Sequence, residues 1–195
     1  MTLRSFVRCL GVGLGLLGVL RPPAALAAEP MALAADLQVP LILKVLTYDR
    51  HFESKAGREL FIGVVYDQAD PESLKAASSI FETLLRFSGK TIKRLPIRQQ
   101  LVPMANLTRV VPAMGISVLY IAPGNARNLA AVTKFSQENH VTTVTGVPDY
   151  VRQGVAVGID VAQDRPQILI NLVSSKAEGS EWDASLLRIS TLIKK

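Results

Sequence analysis

The stretch Glu59–Tyr66 (ELFIGVVY) constrains the fold more than any other part of the chain. After Glu59 it is apolar without a break. A strand with one face in water alternates apolar and polar residues, and this one does not. It therefore predicts a strand covered on both faces, as in the parallel sheets of α/β proteins. The next residues agree. Asp70-Pro71-Glu72 offers an N-cap, a proline suited to the first helical position and an acid that complements the helix dipole. Leu74, Ala77, Phe81, Leu84 and Leu85 then form the expected apolar stripe of a helix ending at Gly89.

The same alternation of strand and helix signals runs along the rest of the chain. Leu37, Leu41, Val45 and Tyr48 recur at helical spacing, which predicts a helix over Leu33–Tyr48, with Pro40 starting or kinking it. Lys90–Gln100 reads as an exposed or edge strand, because Pro96 cannot donate to a central ladder. Met104–Ala113 is a weaker helix signal. Ile116–Ile121 is a strong strand, and Pro123-Gly124-Asn125 turns into a helix carrying Leu129, Val132 and Phe135. Val141–Thr145 is β-branched and reads as a strand. Pro148–Arg152 reads as a helical turn, and Val155–Val161 alternates like a half-buried strand. Asp164-Arg165-Pro166 turns the chain so that Gln167–Leu172 returns antiparallel. A last helix is expected to place Trp182, Leu186, Ile189 and Ile193 on one face. The fold class is α/β: one domain with an open, mostly parallel sheet flanked by helices, an antiparallel C-terminal hairpin strand and a C-terminal helix.

Residues 1–27 read as a secretory signal peptide, and 28–195 as the working domain. Arg4 and Arg8 precede the apolar run Cys9–Leu20, and Ala25-Leu26-Ala27 is an A-x-A cleavage site. The alternative, a membrane anchor, needs roughly 20 apolar residues, and this run is shorter. Removing Arg4, Arg8 and Arg21 lowers the formal net charge from +6 to +3, which gives no case for nucleic acid. The only cysteine, Cys9, leaves with the signal, so disulfides and thiolate chemistry are excluded from the mature chain. The expected location is periplasmic or secreted, without stable membrane insertion.

Several motif echoes fail on context. Gly11, Gly13 and Gly15 lie in the signal segment with no strand before them. Ser88-Gly89-Lys90-Thr91 resembles the end of a phosphate-binding loop, but Leu84 stands where that motif needs glycine. His51 and Glu53 do not complete a metal site. No G-x-S-x-G elbow occurs. The sequon Asn106-Leu107-Thr108 is a short pattern, common by chance. No cofactor is indicated. Two candidate surfaces remain. If the strands ending at Tyr66, Ile121 and Thr145 are parallel, the loops after them share one sheet edge, where open α/β sheets bind ligands. Asp67, Asp70, Gly124, Asn125, Gly146 and Asp149 are the candidates on that edge. Lys90, Arg94 and Arg98 would line up on one face of the strand Lys90–Gln100. They form either a basic patch for an acidic partner or the charge that protects an edge strand.

The C-terminal half carries a series of short motifs. They are Thr143-Val144-Thr145, Val147-Pro148, Arg152-Gln153-Gly154-Val155-Ala156-Val157, Gln167-Ile168-Leu169-Ile170-Asn171-Leu172, Lys176-Ala177-Glu178-Gly179 and Ser185-Leu186-Leu187-Arg188-Ile189. Together with Val118-Leu119-Tyr120-Ile121 and Val64-Val65-Tyr66, the series resembles the YfiR/HmsC-like family of small secreted bacterial proteins. The resemblance implies a periplasmic α/β domain without known catalysis. It implies as partner the periplasmic part of an inner-membrane signalling protein such as a diguanylate cyclase, and so a link to cyclic-di-GMP and biofilm formation. Two departures stand out. The mature chain has no cysteines, and its first helix lacks the aromatic-rich segment common in the family. A small-molecule-binding module resembling one lobe of a solute receptor is the alternative expectation.

Overall fold

The computed structural model describes residues 30–194; the segment read as a signal peptide lies outside the described residues. Among the described residues, sixteen helices and strands succeed one another: α1 (Ala35–Leu46), α2 (Phe52–Ala56), β1 (Leu60–Tyr66), α3 (Pro71–Leu85), β2 (Thr91–Ile92), β3 (Leu95–Pro103), α4 (Leu107–Met114), β4 (Val118–Ile121), α5 (Leu129–Glu138), β5 (Thr142–Thr145), α6 (Pro148–Arg152), β6 (Val157–Ala162), β7 (Arg165–Asn171), α7 (Leu172–Ala177), α8 (Ala184–Ile189) and β8 (Thr191–Ile193). The eight strands form one sheet in the order β2-β3-β1-β4-β5-β6-β7-β8. The five strands from β3 to β6 are parallel, β2 and β7 are antiparallel to their inner neighbours, and β8 runs parallel to β7. Ranked by their place in the chain, the five parallel strands lie in the order 2-1-3-4-5 of doubly wound sheets, whose switch point falls between β1 and β4.

β1 is covered on both faces, as its unbroken apolar run requires. Leu60, Ile62 and Val64 enter one core with Val39, Ile42 and Leu46 of α1 and with Ala77, Ile80 and Leu84 of α3. Phe61 and Val65 enter a second core with Leu107 and Val111 of α4, Leu129 and Val132 of α5 and Tyr150 of α6. β4 divides in the same way, with Val118 and Tyr120 in the first core and Leu119 and Ile121 in the second.

Three expectations require correction. First, Lys90–Gln100 is not one strand. It is the hairpin β2–β3, turning at Lys93 (φ 45°) and Arg94 (φ 69°). Such left-handed turns usually announce themselves with Asn-Gly or Asp-Gly, and this one does not. Lys90, Arg94 and Arg98 therefore do not line up. Arg94 sits in the turn, Lys90 lies over the Phe87 ring at 4.8 Å, and Arg98 pairs with Glu59 at 3.0 Å while stacking on Phe61. The hairpin does occupy one edge of the sheet. Second, α1 buries Val39, Ile42, Leu43, Val45 and Leu46; of the expected stripe Val45 is buried and Leu41 and Tyr48 are partly buried against the core, while Leu37 is 56 % exposed. A helix apolar on nearly every side carries no preference of its own for one face. Third, the last helix is shorter than expected. Asp183 caps α8 by accepting from Ser185 N–H at 2.8 Å, so Trp182 precedes the helix. Ile189 is exposed and Ile193 lies in β8.

The two faces of α1 can be told apart by truncation. Leu43→Ala is expected to lower the unfolding free energy by about 2–5 kcal/mol, and Leu37→Ala to change it by less than about 0.5 kcal/mol. Urea denaturation measures both; equal losses would contradict the assigned face.

Candidate functional site

The strand order directs attention first to the carboxyl ends of β1 and β4. Asp67 follows β1 and is buried. Its Oδ1 accepts from Ala69 N–H at 2.9 Å, and its Oδ2 accepts from Arg127 Nε at 2.9 Å, Arg127 Nη2 at 2.6 Å and Asn128 Nδ2 at 3.2 Å. Burial opposes the charged form, but the Ala69 N–H and the Arg127 guanidinium outweigh it and hold the Asp67 carboxyl below its ordinary range. Asp70 caps α3 through Glu72 N–H, as the sequence indicates. Gly124 has φ +81°, and a side chain there would overlap Asp70 and Ser73. Asn125, fully buried, donates from Nδ2 to Ala122 O at 2.9 Å and, at longer range, to Val65 O, while its N–H donates to Tyr150 Oη at 2.9 Å. Asp67, Asp70, Gly124 and Asn125 are thus brought together. Their side chains bond mainly to neighbouring residues of the same edge: Asp67 to Ala69, Arg127 and Asn128, Asp70 to Glu72, and Asn125 to Ala122 and Val65.

The other two candidates lie apart. Gly146 sits beneath α1, where a side chain would overlap the Gln38 amide, and its carbonyl accepts from Ala32 N–H at 2.9 Å. Gln38 is held there by Tyr120, whose hydroxyl donates to its Oε1 at 2.7 Å. Asp149 is exposed on α6 and pairs with Arg152 at 2.8 Å.

The opposite end of the sheet carries two cavities and a cluster of charged groups. A cavity of about 530 Å³ lies between His51, α7, the segment after α7, and Leu187 of α8. A second, of about 230 Å³, is lined by Lys55, Ser117 and His140 among others. Glu178, fully buried, stands between the two groups of residues. Its Oε2 accepts from Thr143 N–H at 2.8 Å, and its Oε1 lies 2.6 Å from Thr143 Oγ1 and 3.0 Å from Ser136 Oγ. Ser136 has one hydroxyl hydrogen, and Thr133 O, at 2.9 Å, also accepts it. A protonated Glu178 resolves that competition by donating to Ser136 Oγ. Consistently, burial pushes the Glu178 carboxyl up to about 7, against the hydrogen bonds from Thr143 and Ser136 and the charge of Lys55.

Lys55 spends its three ammonium hydrogens on Thr142 Oγ1, on Glu178 O at 2.9 Å and on Ser180 Oγ at 2.8 Å. Its Nζ lies 3.9 Å from Asp49 Oδ2. Burial lowers its pKa, and Asp49 and Glu178 oppose that shift. Asp49 in turn accepts from the backbone N–H of His51 and of Glu181, and pairs with Trp182 in an isolated β-bridge. The cluster ties the end of α1, α2, β5 and the segment 178–183 together. No local signal in the sequence marks Lys55 or Asp49, and Glu178 stands out there only as part of a motif. Among the described residues, no group of three His, Cys, Asp or Glu side chains is placed to hold a metal ion.

The chain is a doubly wound α/β domain with two cavities at the amino end of its sheet. The chain belongs to the YfiR/HmsC-like family, whose model matches residues 44–191. No curated protein matches it in sequence. Solved structures share its fold, among them the following three. An ABC domain in complex with L-Trp from Streptococcus pneumonia matches with TM-score 0.56 and 14% identity, over 82% of this chain and 60% of that one. A conserved domain protein from Vibrio cholerae matches with TM-score 0.57 and 12% identity, over 85% and 60%. CD0873 from Clostridium difficile, a substrate binding protein with adhesive properties, matches with TM-score 0.51 and 18% identity, over 74% and 58%. The chain spans about 60% of the length of these structures.

The raised Glu178 pKa has a definite sign. Unfolded, the carboxyl titrates near its ordinary 4.5, and folded near 7. Between these values the folded chain holds the extra proton, so stability falls as pH rises through that window and then levels off, by at most about 3 kcal/mol. Glu178→Gln keeps a neutral group and removes the effect. Urea denaturation near pH 5 and near pH 7.5 is expected to show the variant gaining on wild type at the higher pH; a constant difference would contradict the assignment.

Proposed function

We propose that this chain is a periplasmic regulatory interaction protein that modulates an inner-membrane sensor, a diguanylate cyclase or sensor kinase, by binding its periplasmic part. The observation that carries this reading is the family match over residues 44–191. Three further points support it. The N-terminal sequence has the regions of an export signal. Among the described residues no helix is long and apolar enough to cross a membrane. Leu37 on α1 and Leu74 and Leu85 on α3 are large apolar side chains left 42–56 % exposed on two helices that pack on the same face of the sheet. Such side chains suit contact with another protein. The chain is a binder in this reading, not an enzyme. Its link to cyclic-di-GMP and biofilm formation comes through the partner.

A second reading is a periplasmic small-molecule-binding module. Two of the solved structures with this fold are a domain bound to L-Trp and a substrate binding protein, which favours it. The carboxyl edge is a poor place for that ligand, since Asp67 is engaged by Arg127, Asn125 by Ala122, and Gly124 lies against Asp70 and Ser73.

Gentle crosslinking in envelope preparations tests the first reading. The expected product joins this chain to an inner-membrane protein that carries a cyclase or kinase domain. Its yield should fall severalfold in the double variant Leu37→Asp, Leu74→Asp, with the circular dichroism spectrum unchanged. Recovery of no membrane protein would count against the proposal.

A further inference from the structure

We propose that the turn of the β2–β3 hairpin and the residues flanking it dock on an anionic phospholipid surface. From Thr83 to Gln137 the chain has eight basic residues and no acidic one. Five exposed cations surround the hairpin: Lys93 and Arg94 in its turn, Lys90 just before β2, Arg86 at the end of α3, and Arg58 two positions ahead of β1. Lys93 lies over the Phe52 ring of α2 at 5.6 Å, and Leu60 is in register with Ile97, which brings Arg58 level with the start of β3. None of the five has a carboxylate partner among the described residues. Glu59 is neutralised by Arg98 at 3.0 Å. The exposed acids on the adjoining elements are Glu53 of α2 and Glu82 of α3. Setting each of these two against one of the five cations leaves three positive charges uncompensated.

The turn carries a second, independent mark. Lys93 (φ 45°) and Arg94 (φ 69°) both adopt the left-handed region, between Ile92 and Leu95, which pair across the hairpin. Two-residue turns of this kind are normally built from Asn-Gly or Asp-Gly, because other side chains are strained there. Here two cations occupy it. Charge along an edge strand deters pairing with other chains. The turn lies beyond the ladder, so edge protection does not account for Lys93 and Arg94. Strain held at an exposed, charged tip points to a role in contact.

A bilayer fits this patch better than an acidic protein does. The cations lie at a corner of the domain, where the β2–β3 edge meets the amino end of the sheet. None of the five lines either cavity described above, and no carboxylate among the described residues fixes their direction. A layer of anionic headgroups asks for charge and reach, not for one fixed geometry. Apolar surface accompanies the charge, as suits a membrane interface. Leu85, 46 % exposed, precedes Arg86, and Lys90 lies over the half-buried Phe87 at 4.8 Å. This inference goes beyond the partner reading and does not depend on it: crosslinking can fail while vesicle binding succeeds, and the reverse.

Flotation with lipid vesicles tests this, using the protein as the cell processes it. The vesicles are phosphatidylcholine alone, or phosphatidylcholine with about one-third phosphatidylglycerol. At about 0.1 M salt, binding to the anionic vesicles is expected to be at least about tenfold tighter than to the neutral ones, and to be largely lost near about 0.5 M. Each basic side chain near such a surface is worth about fivefold in affinity. Lys93→Asn with Arg94→Gly supplies a favourable turn and removes two charges. It is expected to weaken binding at least about tenfold, with the urea midpoint unchanged or raised. Lys176→Gln with Arg188→Gln, at exposed positions of α7 and α8, removes the same charge elsewhere and is expected to leave binding within about twofold. Equal binding to both kinds of vesicle overturns the proposal. So does equal weakening by the two double variants, which makes net charge alone responsible. Loss of a protein crosslink in the hairpin variant, with no vesicle binding by the wild type, assigns the patch to an acidic protein and overturns it too.

Discussion

Everything in this fold depends on burying both faces of β1. Leu60, Phe61, Ile62, Val64 and Val65 are each at most 2 % exposed, and no single layer of helices can cover them all. α1 and α3 must close one face and α4, α5 and α6 the other. Removing that much apolar surface from water is the dominant favourable term in forming the domain. Once both faces are closed, the central strands meet solvent only at their two ends. Function has to be sought there.

The two ends are built differently. At the carboxyl end, backbone groups freed by the strand–helix turns are met by side chains from neighbouring loops. Asn125 reaches Val65 and Ala122, Asp70 caps α3, and Arg127 and Asn128 converge on Asp67. These bonds lock the loops to one another. At the amino end the polar groups form a cluster that joins elements far apart in sequence, from Asp49 and Lys55 to Glu178 and Ser180. It lies beside cavities instead of filling them. The buried carboxyl of Glu178, within hydrogen-bond reach of Ser136 and Thr143 and pushed up to about 7 by burial, makes this end sensitive to pH.

Much of the architecture is legible in the sequence because it rests on local chemistry. The unbroken run of β1 announces a strand covered on both faces. Asp70-Pro71-Glu72 marks the start of α3, and Pro148–Arg152 a helical turn that the structure reproduces residue for residue. Other features mislead for equally physical reasons. Leu74 and Leu85 fit a helical stripe with Ala77 and Leu84, yet they stand at its margins and stay 42 % and 46 % exposed. The hairpin turn at Lys93-Arg94 lacks the glycine or asparagine that would give it away. The loops after β1 and β4 can be grouped from the sequence as one edge. That Arg127, 60 residues away, closes on Asp67 cannot be read there.

The sequence by itself determined the class of the fold and the order of most of its elements, because periodicity, capping and apolar runs act over a few residues. Tertiary structure alone decided which side chains of α1 are buried and that two cavities lie at the amino end of the sheet. It alone assembled Lys55, Asp49, Thr143 and Glu178 into one cluster. No local signal records such a meeting, since the groups are up to 129 positions apart in the chain and interact only after the sheet has brought their elements together.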